Sequence, residues 1–548
     1  MIRVLTPAVL ALILASGWVQ ATEESSTELP GFRFEIVVPE TVGWEPLTGR
    51  VYVMMSRTSS PPPYLQIGRT GTPFFGRDVE RLPPGEAAVI DASDLGSPLA
   101  SLADIPPGEY WVQGFVNVYS EFRRADGHVV WMHDDQWEGQ DWNRSPGNLY
   151  SETRRVRIDP NSNDVIRLET TGIIPPVEIP EDTEWVRRFR FESPMLTRFW
   201  GRPVYLGATV LLPRGYDSET IDYPVIYEQG HFSLEPPMGF FPRNPLYSDW
   251  QRDDFPRFIV VTFQHPNPYF DDSYAVNSAN LGPYGDAIME ELIPEVERRF
   301  RAIREPWARI LTGGSTGGWE ALALQIFEPD FFGGTWAYCP DPVDFRDVEA
   351  INIYEDTNAY YKQFEWRRVP TPNTRETNGQ IRLTSRQRNH FELANGTRGR
   401  SGEQFDAWSA VYGPVGEDGY FKPLFDKLTG EIDPAVAAYW KENYDLRHYL
   451  EQNWAEIGPK LINKLHVYTG TMDNFYLNNS TRMLEEWFEE TSNPHYPGYF
   501  EYGEGAGHCW AGSVGPSERL QEIAAFVMEK SPPEAPASWY GSPPAEDR

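Results

Sequence analysis

Short alternating apolar runs fill the front of the chain. Phe32-Arg33-Phe34-Glu35-Ile36-Val37-Val38 alternates and then turns continuously apolar. Gly49–Met55, Ala87–Asp91, Gly108–Val116 and Val165–Leu168 repeat the theme. Proline and glycine punctuate them, as at Pro61-Pro62-Pro63 and Pro83-Pro84-Gly85. Several short strands between turn signals predict a β-sandwich over residues 31–174. Pro175-Pro176-Val177-Glu178-Ile179-Pro180 then reads as a stiff linker.

The period changes beyond it. Val204–Leu212, Tyr223–Tyr227, Phe258–Phe263, Gly334–Tyr338 and Leu465–Thr469 are strand-like. Between them, Asp286–Phe300 has helical spacing, with Ile288, Leu292, Ile293 and Val296 on one face. Ser517 can cap a last helix carrying Leu520, Ile523, Ala524 and Val527. Strands alternating with helices predict an α/β domain over residues 185–530 with a doubly wound, mainly parallel sheet. About 125 residues separate the strand ending at Tyr338 from the one starting at Leu465, far more than an ordinary connection. Residues 340–464 are therefore expected to form an inserted cap. Residues 531–548 are proline-rich and expected to be disordered.

The most informative stretch is Ile310-Leu311-Thr312-Gly313-Gly314-Ser315-Thr316-Gly317-Gly318. A short apolar run meets a glycine-flanked serine and a helical pattern follows, so G-x-S-x-G falls at a sharp strand-to-helix turn. A serine there sits on strained backbone with its hydroxyl exposed above the sheet. Ser315 is the candidate nucleophile for acyl transfer.

A serine hydroxyl needs a base to take its proton, and the base needs a carboxylate to fix its tautomer. In this fold class the acid and then the histidine follow the serine in the chain. That order, with His390 and His448 in the expected insertion and His466 within a strand, leaves His495 and His508. His495 lies between prolines in an ordinary turn. His508 lies in the glycine-rich loop Gly503–Trp510, just before the last helix, and is the candidate base. Asp473 is the only carboxylate between the Leu465–Thr469 strand and the next helix, and is the candidate acid. The first oxyanion donor is the N–H of Thr316. The second comes from the loop Gly230-His231-Phe232, through either His231 or Phe232. The sequence suggests no cofactor and no metal. His133-Asp134-Asp135-Gln136-Trp137-Glu138 matches no metal spacing and reads as a solvated acidic loop.

Composition and the chain's start sharpen the picture. The chain has 548 residues, 40% of them hydrophobic and 23% charged, as in a globular protein of two or three domains. A formal net charge of −32 repels phosphate backbones and anionic lipid, which argues against nucleic-acid or membrane-surface partners. Residues 1–21 read as an export signal: Arg3, an apolar stretch from Leu5 to Trp18, and the small-residue pattern Val19-Gln20-Ala21. An exported product, periplasmic or extracellular and without a membrane span once mature, is expected. Cys339 and Cys509 are its only cysteines, and in an exported chain they are a candidate disulfide.

Together these blocks resemble the esterase D or "putative esterase" family of α/β-hydrolases, which includes feruloyl, acetylxylan and siderophore esterases. The likeness rests on Tyr223–Phe232, on Glu291-Leu292-Ile293-Pro294 with Gly313–Gly318, and on Asp473–Leu477 with Gly507-His508. Where the family commonly reads His-Gly in the oxyanion loop, this chain reads Gly230-His231. The resemblance implies an ester hydrolase with an acyl-enzyme formed on Ser315, acting on a small-molecule or carbohydrate-linked ester. A peptidase, an acyltransferase or a non-catalytic glycan-binding protein would share the same pattern.

Overall fold

The structure, a computed structural model, describes residues 31–541 except Trp44, Asp135, Gln140, Asp141, Phe232, Asp271 and Asp272. The expected export signal therefore lies outside the described residues, as does Phe232.

Residues 31–174 hold a smaller and a larger sheet, with a separate hairpin, Ser120–Arg123 with Val129–Met132, whose Phe122, Val130 and Met132 join the core of the second domain. The smaller sheet runs Val165–Glu169, Arg33–Val37, Ala87–Ile90. The larger has Leu47–Ser56 and Gly108–Val118 at its centre. Alternation sets the register. Phe34 faces Ile90 and Ile36 faces Ala88 across one pair, so every second residue enters the core. Phe34, Ile36, Val51, Val53, Phe75, Ile90, Val112 and Val116 are buried there together.

The second sheet has eight strands: β1 Val186–Glu192, β2 Tyr205–Leu211, β3 Val225–Gln229, β4 Ile259–Gln264, β5 Arg309–Gly314, β6 Gly334–Tyr338, β7 Leu465–Gly470 and β8 Tyr499–Gly503. Their order is 1-2-4-3-5-6-7-8, antiparallel only where β2 meets β1 and β4. Val225, Ile226, Ile259, Val260, Ile310 and Leu311 are fully buried because helices cover both faces, which is why these strands read as continuous apolar runs. Parallel pairing brings the carboxyl ends of β3, β5, β6, β7 and β8 to one edge. The loops that carry the candidate chemistry all start there.

Residues between β6 and β7 form two hairpins and four helices. They do not fold as a detached lid. Phe405, Trp408, Tyr412 and Trp440 belong to the same buried cluster as Ile310 and Trp319 of the sheet domain. The last helix, Leu446–Leu461, packs on the helix that follows Ser315 and makes the crossover that a parallel β6–β7 pair requires. The added material thus ends before this helix, not at residue 464. The same segment also binds the front domain. Arg50 donates to the carbonyl of Ala394, and Arg400 pairs with Asp78 at 2.8 Å.

Two further expectations need correction. His133 is buried, contacts Glu138 at 2.5 Å and stacks on Phe270, so the acidic loop is not simply solvated. The described part of the tail, through Gly541, is ordered by one side chain. Trp539 is fully buried against Phe258, and the backbone N–H of Arg257 donates to its carbonyl at 2.8 Å. A proline-rich composition hid a single anchoring tryptophan. Trp539→Ala is expected to cost about 3–5 kcal/mol, the usual range for emptying a buried aromatic site. The check is the urea midpoint; an unchanged midpoint would mean that the tail adds nothing to the folded domain.

Candidate active site

Ser315 joins β5 to the helix Thr316–Phe327 with φ 57° and ψ −122°, a conformation L-residues seldom adopt. Crowding explains the flanking glycines. A Cβ on Gly313 would lie 2.3 Å from the carbonyl oxygen of Gly317, and one on Gly317 would lie 2.0 Å from that of Gln229. Two hydrogen bonds fasten the turn: the N–H of Ser315 donates to the carbonyl of Tyr338 at 3.0 Å, and that of Asp341 donates to the carbonyl of Ser315 at 3.1 Å.

The acid and base meet at the same edge. His508 Nδ1–H donates to Asp473 Oδ2 at 2.8 Å. Asp473 is fully buried. Its Oδ1 accepts the N–H groups of Phe475 at 2.9 Å and Leu477 at 3.3 Å, so it shapes its own turn while facing the imidazole. The two loops touch at the backbone. Met472 N–H donates to Ala506 at 2.9 Å, and a Cβ on Gly470 would lie 2.3 Å from the carbonyl oxygens of Ala506 and Gly507. Phe475 packs edge-on against the His508 ring, centroids 4.8 Å apart. Arg375, from the segment inserted after β6, donates Nε–H to the Asp473 carbonyl at 2.9 Å.

The serine hydroxyl points elsewhere. Ser315 Oγ donates to Asp341 Oδ1 at 3.3 Å, and among the described residues no hydrogen bond joins it to His508. Asp341 is buried and also accepts from Tyr274 OH at 2.7 Å, Thr316 Oγ1 at 3.1 Å and Trp408 Nε1 at 3.1 Å. Burial raises its carboxyl above the usual range, against the lowering effects of Tyr274, His231 and Trp408. Sequence reasoning missed Asp341 because it sought carboxylates only after β7. The available signal was Cys339-Pro340-Asp341, directly after β6.

The two cysteines are free thiols, so the candidate disulfide is not formed. Both sit on left-handed backbone, φ 38° at Cys339 and 56° at Cys509. Their sulfurs and an imidazole nitrogen of His508 lie within 4.8 Å of one another. That spacing would suit a soft cation. A Cβ on Gly314 would meet Cys509 Sγ at 3.2 Å, so the thiol also borders the elbow. Burial, reinforced by Cys509, holds Cys339 protonated. The Cys509 thiol is pulled down to about 6, first by its contact with Cys339 and, against burial, by His508. Burial alone would depress His508, but Asp473 and Cys509 push it up to about 10. The imidazolium therefore stabilises the folded state fully below the unfolded value near 6.5, and that contribution is lost as pH rises through about 10.

A measurable consequence follows. Ester cleavage that needs neutral His508 is expected to keep rising through the alkaline range. Cys509→Ala, which removes the sulfur partner, is expected to move that rise to lower pH. Profiles of kcat/KM against pH for the two proteins check this; superimposed profiles would contradict it.

The oxyanion candidates divide. Thr316 is buried at the start of the elbow helix. Gly230, at φ 138°, lies next to Gly317, so the loop after β3 reaches the elbow. His231 is exposed within that loop, and its proximity to Asp341 helps lower that carboxyl. Of the rejected histidines, His495 bonds the carbonyl of Thr491 and His466 stacks on Trp336.

A β5–elbow–helix unit, an acid after β7 and a histidine after β8 define the α/β-hydrolase class. Residues 205–344 match the family model described as "Putative esterase", so the resemblance holds over that stretch. The match includes Ser315 and Asp341 and stops before Asp473 and His508. No curated protein matches the chain. Solved structures similar to it include a fluorophosphonate-binding serine hydrolase of Staphylococcus aureus, 15% identical, covering 62% of this chain and 98% of that one, with a TM-score of 0.34. A ferulic acid esterase is 15% identical over 63% of this chain and 97% of its own, TM-score 0.31. The S-formylglutathione hydrolase of Agrobacterium tumefaciens is 13% identical over 64% and 95%, TM-score 0.33. Among the described residues, no helix is long and apolar enough to cross a membrane.

Proposed function

We propose that the protein is an exported serine esterase, periplasmic or extracellular, working through an acyl-enzyme with Ser315, His508 and Asp473. Residues 31–174 serve as a β-sandwich domain, and the segment inserted after β6 roofs the site. The observation that carries this reading is the 2.8 Å contact of Asp473 with His508 at the sheet edge that bears the strained Ser315.

In the resting site Asp341 holds the serine hydroxyl. Substrate binding turns Ser315 Oγ from Asp341 toward the second imidazole nitrogen of His508, a tightening common on going from free enzyme to substrate complex. Oγ attacks the ester carbonyl as His508 takes its proton. The oxyanion is held by the N–H of Thr316 and by an N–H of the Gly230–Phe232 loop, each donor lowering the barrier by about 3 kcal/mol. His508 then protonates the leaving alcohol. Water, deprotonated by His508, hydrolyses the acyl-Ser315 ester and restores the hydroxyl. Asp473 keeps the imidazole in one tautomer and stabilises its charged form.

Rates on 4-nitrophenyl acetate and 4-nitroacetanilide test this reading. The ester is expected to be cleaved and the anilide left essentially intact. Comparable cleavage of both would make the protein a peptidase, and transfer of the acetyl group to an added alcohol in preference to water would make it an acyltransferase.

A further inference from the structure

Beside the candidate base opens a cleft of about 390 Å³, bordered by Arg69, Arg375, Arg382, Asn474, Phe475 and His508. Its three cations come from separate parts of the chain. Arg69 belongs to the front domain, and Arg375 and Arg382 to the hairpin Pro372–Arg375 with Ile381–Thr384. A chain of formal charge −32 thus lines this opening with guanidinium groups. Arg375 has no carboxylate partner among the described residues. It donates to the Asp473 carbonyl and to Asn478 Oδ1 at 2.9 Å, and it lies over the Tyr476 ring.

The flanking arginines are held by replaceable contacts. Arg382 pairs with Glu376 at 3.2 Å, both about half exposed. Arg69 donates Nε–H and Nη2–H to one oxygen of Glu403, which also serves Arg388 at 2.8 Å. Burial, against Arg69, raises Glu403 to about 7, so it is an incomplete counterion near neutrality. An exposed ion pair such as Arg382–Glu376 adds little net stability. A guanidinium fork matches a planar carboxylate in two parallel hydrogen bonds.

Building on the esterase reading, we propose that the substrate is an anionic ester whose carboxylate, or a comparable compact anion, docks in this cleft on Arg375, Arg69 and Arg382. The carboxylate takes the place of Glu376 and Glu403 at the exposed guanidinium edges while the ester carbonyl reaches Ser315.

Two matched pairs of esters test it. In 4-nitrophenyl hydrogen adipate against 4-nitrophenyl hexanoate the charge is on the acyl side. In 4-acetoxybenzoate against 4-acetoxybenzamide it is on the alcohol side. At least one anionic ester is expected to exceed its neutral counterpart about tenfold in kcat/KM at low ionic strength, with the preference shrinking as salt is added. Arg69→Gln and Arg382→Gln are each expected to lower that ratio several-fold. Calorimetric titration of the Ser315→Ala protein with 4-acetoxybenzoate, 4-acetoxybenzamide and adipate reads the same cleft without turnover. At least one of the two anions should bind more tightly than the amide, and the difference should fall when Arg69→Gln and Arg382→Gln are added. Esters cleaved without any charge preference, and anions bound no better than the amide, would overturn the inference while leaving the esterase intact. Anions bound selectively by a protein that cleaves none of the four esters would instead overturn the esterase reading.

Discussion

Ser315→Ala is expected to lower kcat/KM for a 4-nitrophenyl ester by a factor on the order of 10⁴ to 10⁶, the range seen when the nucleophile of a serine triad is removed. The residue carries no packing burden that would confuse the result. Among the described residues its hydroxyl makes one long hydrogen bond, 3.3 Å to Asp341, and that carboxylate keeps Tyr274, Thr316 and Trp408 as donors without it. Melting temperature should therefore stay close to that of the parent while turnover disappears. A loss smaller than about tenfold in a well-folded variant would assign the nucleophile elsewhere. Cys509 is the first alternative, because its thiol is drawn toward the thiolate by Cys339 and His508.

The second large effect is expected at Asp473. Asp473→Asn keeps the volume and leaves an amide oxygen for the N–H groups of Phe475 and Leu477, so the turn should survive. Its NH₂, however, would face His508 Nδ1 and favour the opposite tautomer, placing the proton on the nitrogen that has to accept one from Ser315. A drop of about 10³ to 10⁴ in kcat is expected on that ground. The carboxylate is also among the groups that raise His508, so the variant's residual activity should reach its plateau at lower pH than the parent's. Stopped initial rates across pH give both quantities. A variant with near-parental kcat and an unshifted profile would remove Asp473 from the mechanism.

Much of the frame was legible because it is written in local pattern. The alternation of Phe32–Val38 specifies one buried face, and the unbroken Ile259–Val261 run specifies burial on two. The glycines flanking Ser315 are legible as part of the G-x-S-x-G turn, and the 2.0–2.3 Å approaches at Gly313 and Gly317 show that the turn has no room for a Cβ there. What stayed hidden depends on contacts between distant segments. Asp341 has no motif of its own and gains meaning only when Tyr274, Trp408 and Ser315 converge on it. Arg375 is 98 residues from Asp473 in the chain, and nothing local marks it as the support of that loop. Cys339 and Cys509 do lie together, but as thiols beside an imidazole, not as the candidate disulfide. Trp539 shows the opposite failure, where composition suggested a loose tail and one large side chain reversed it.

The central claim is that Ser315 is the nucleophile that His508 activates. Mass mapping of the folded protein after reaction with a fluorophosphonate tests it most directly. One adduct per chain is expected, on the peptide carrying Ser315, and it should be absent in Ser315→Ala and strongly slowed in His508→Ala. No adduct, or one placed on Cys509 or on a serine other than Ser315, would contradict the account.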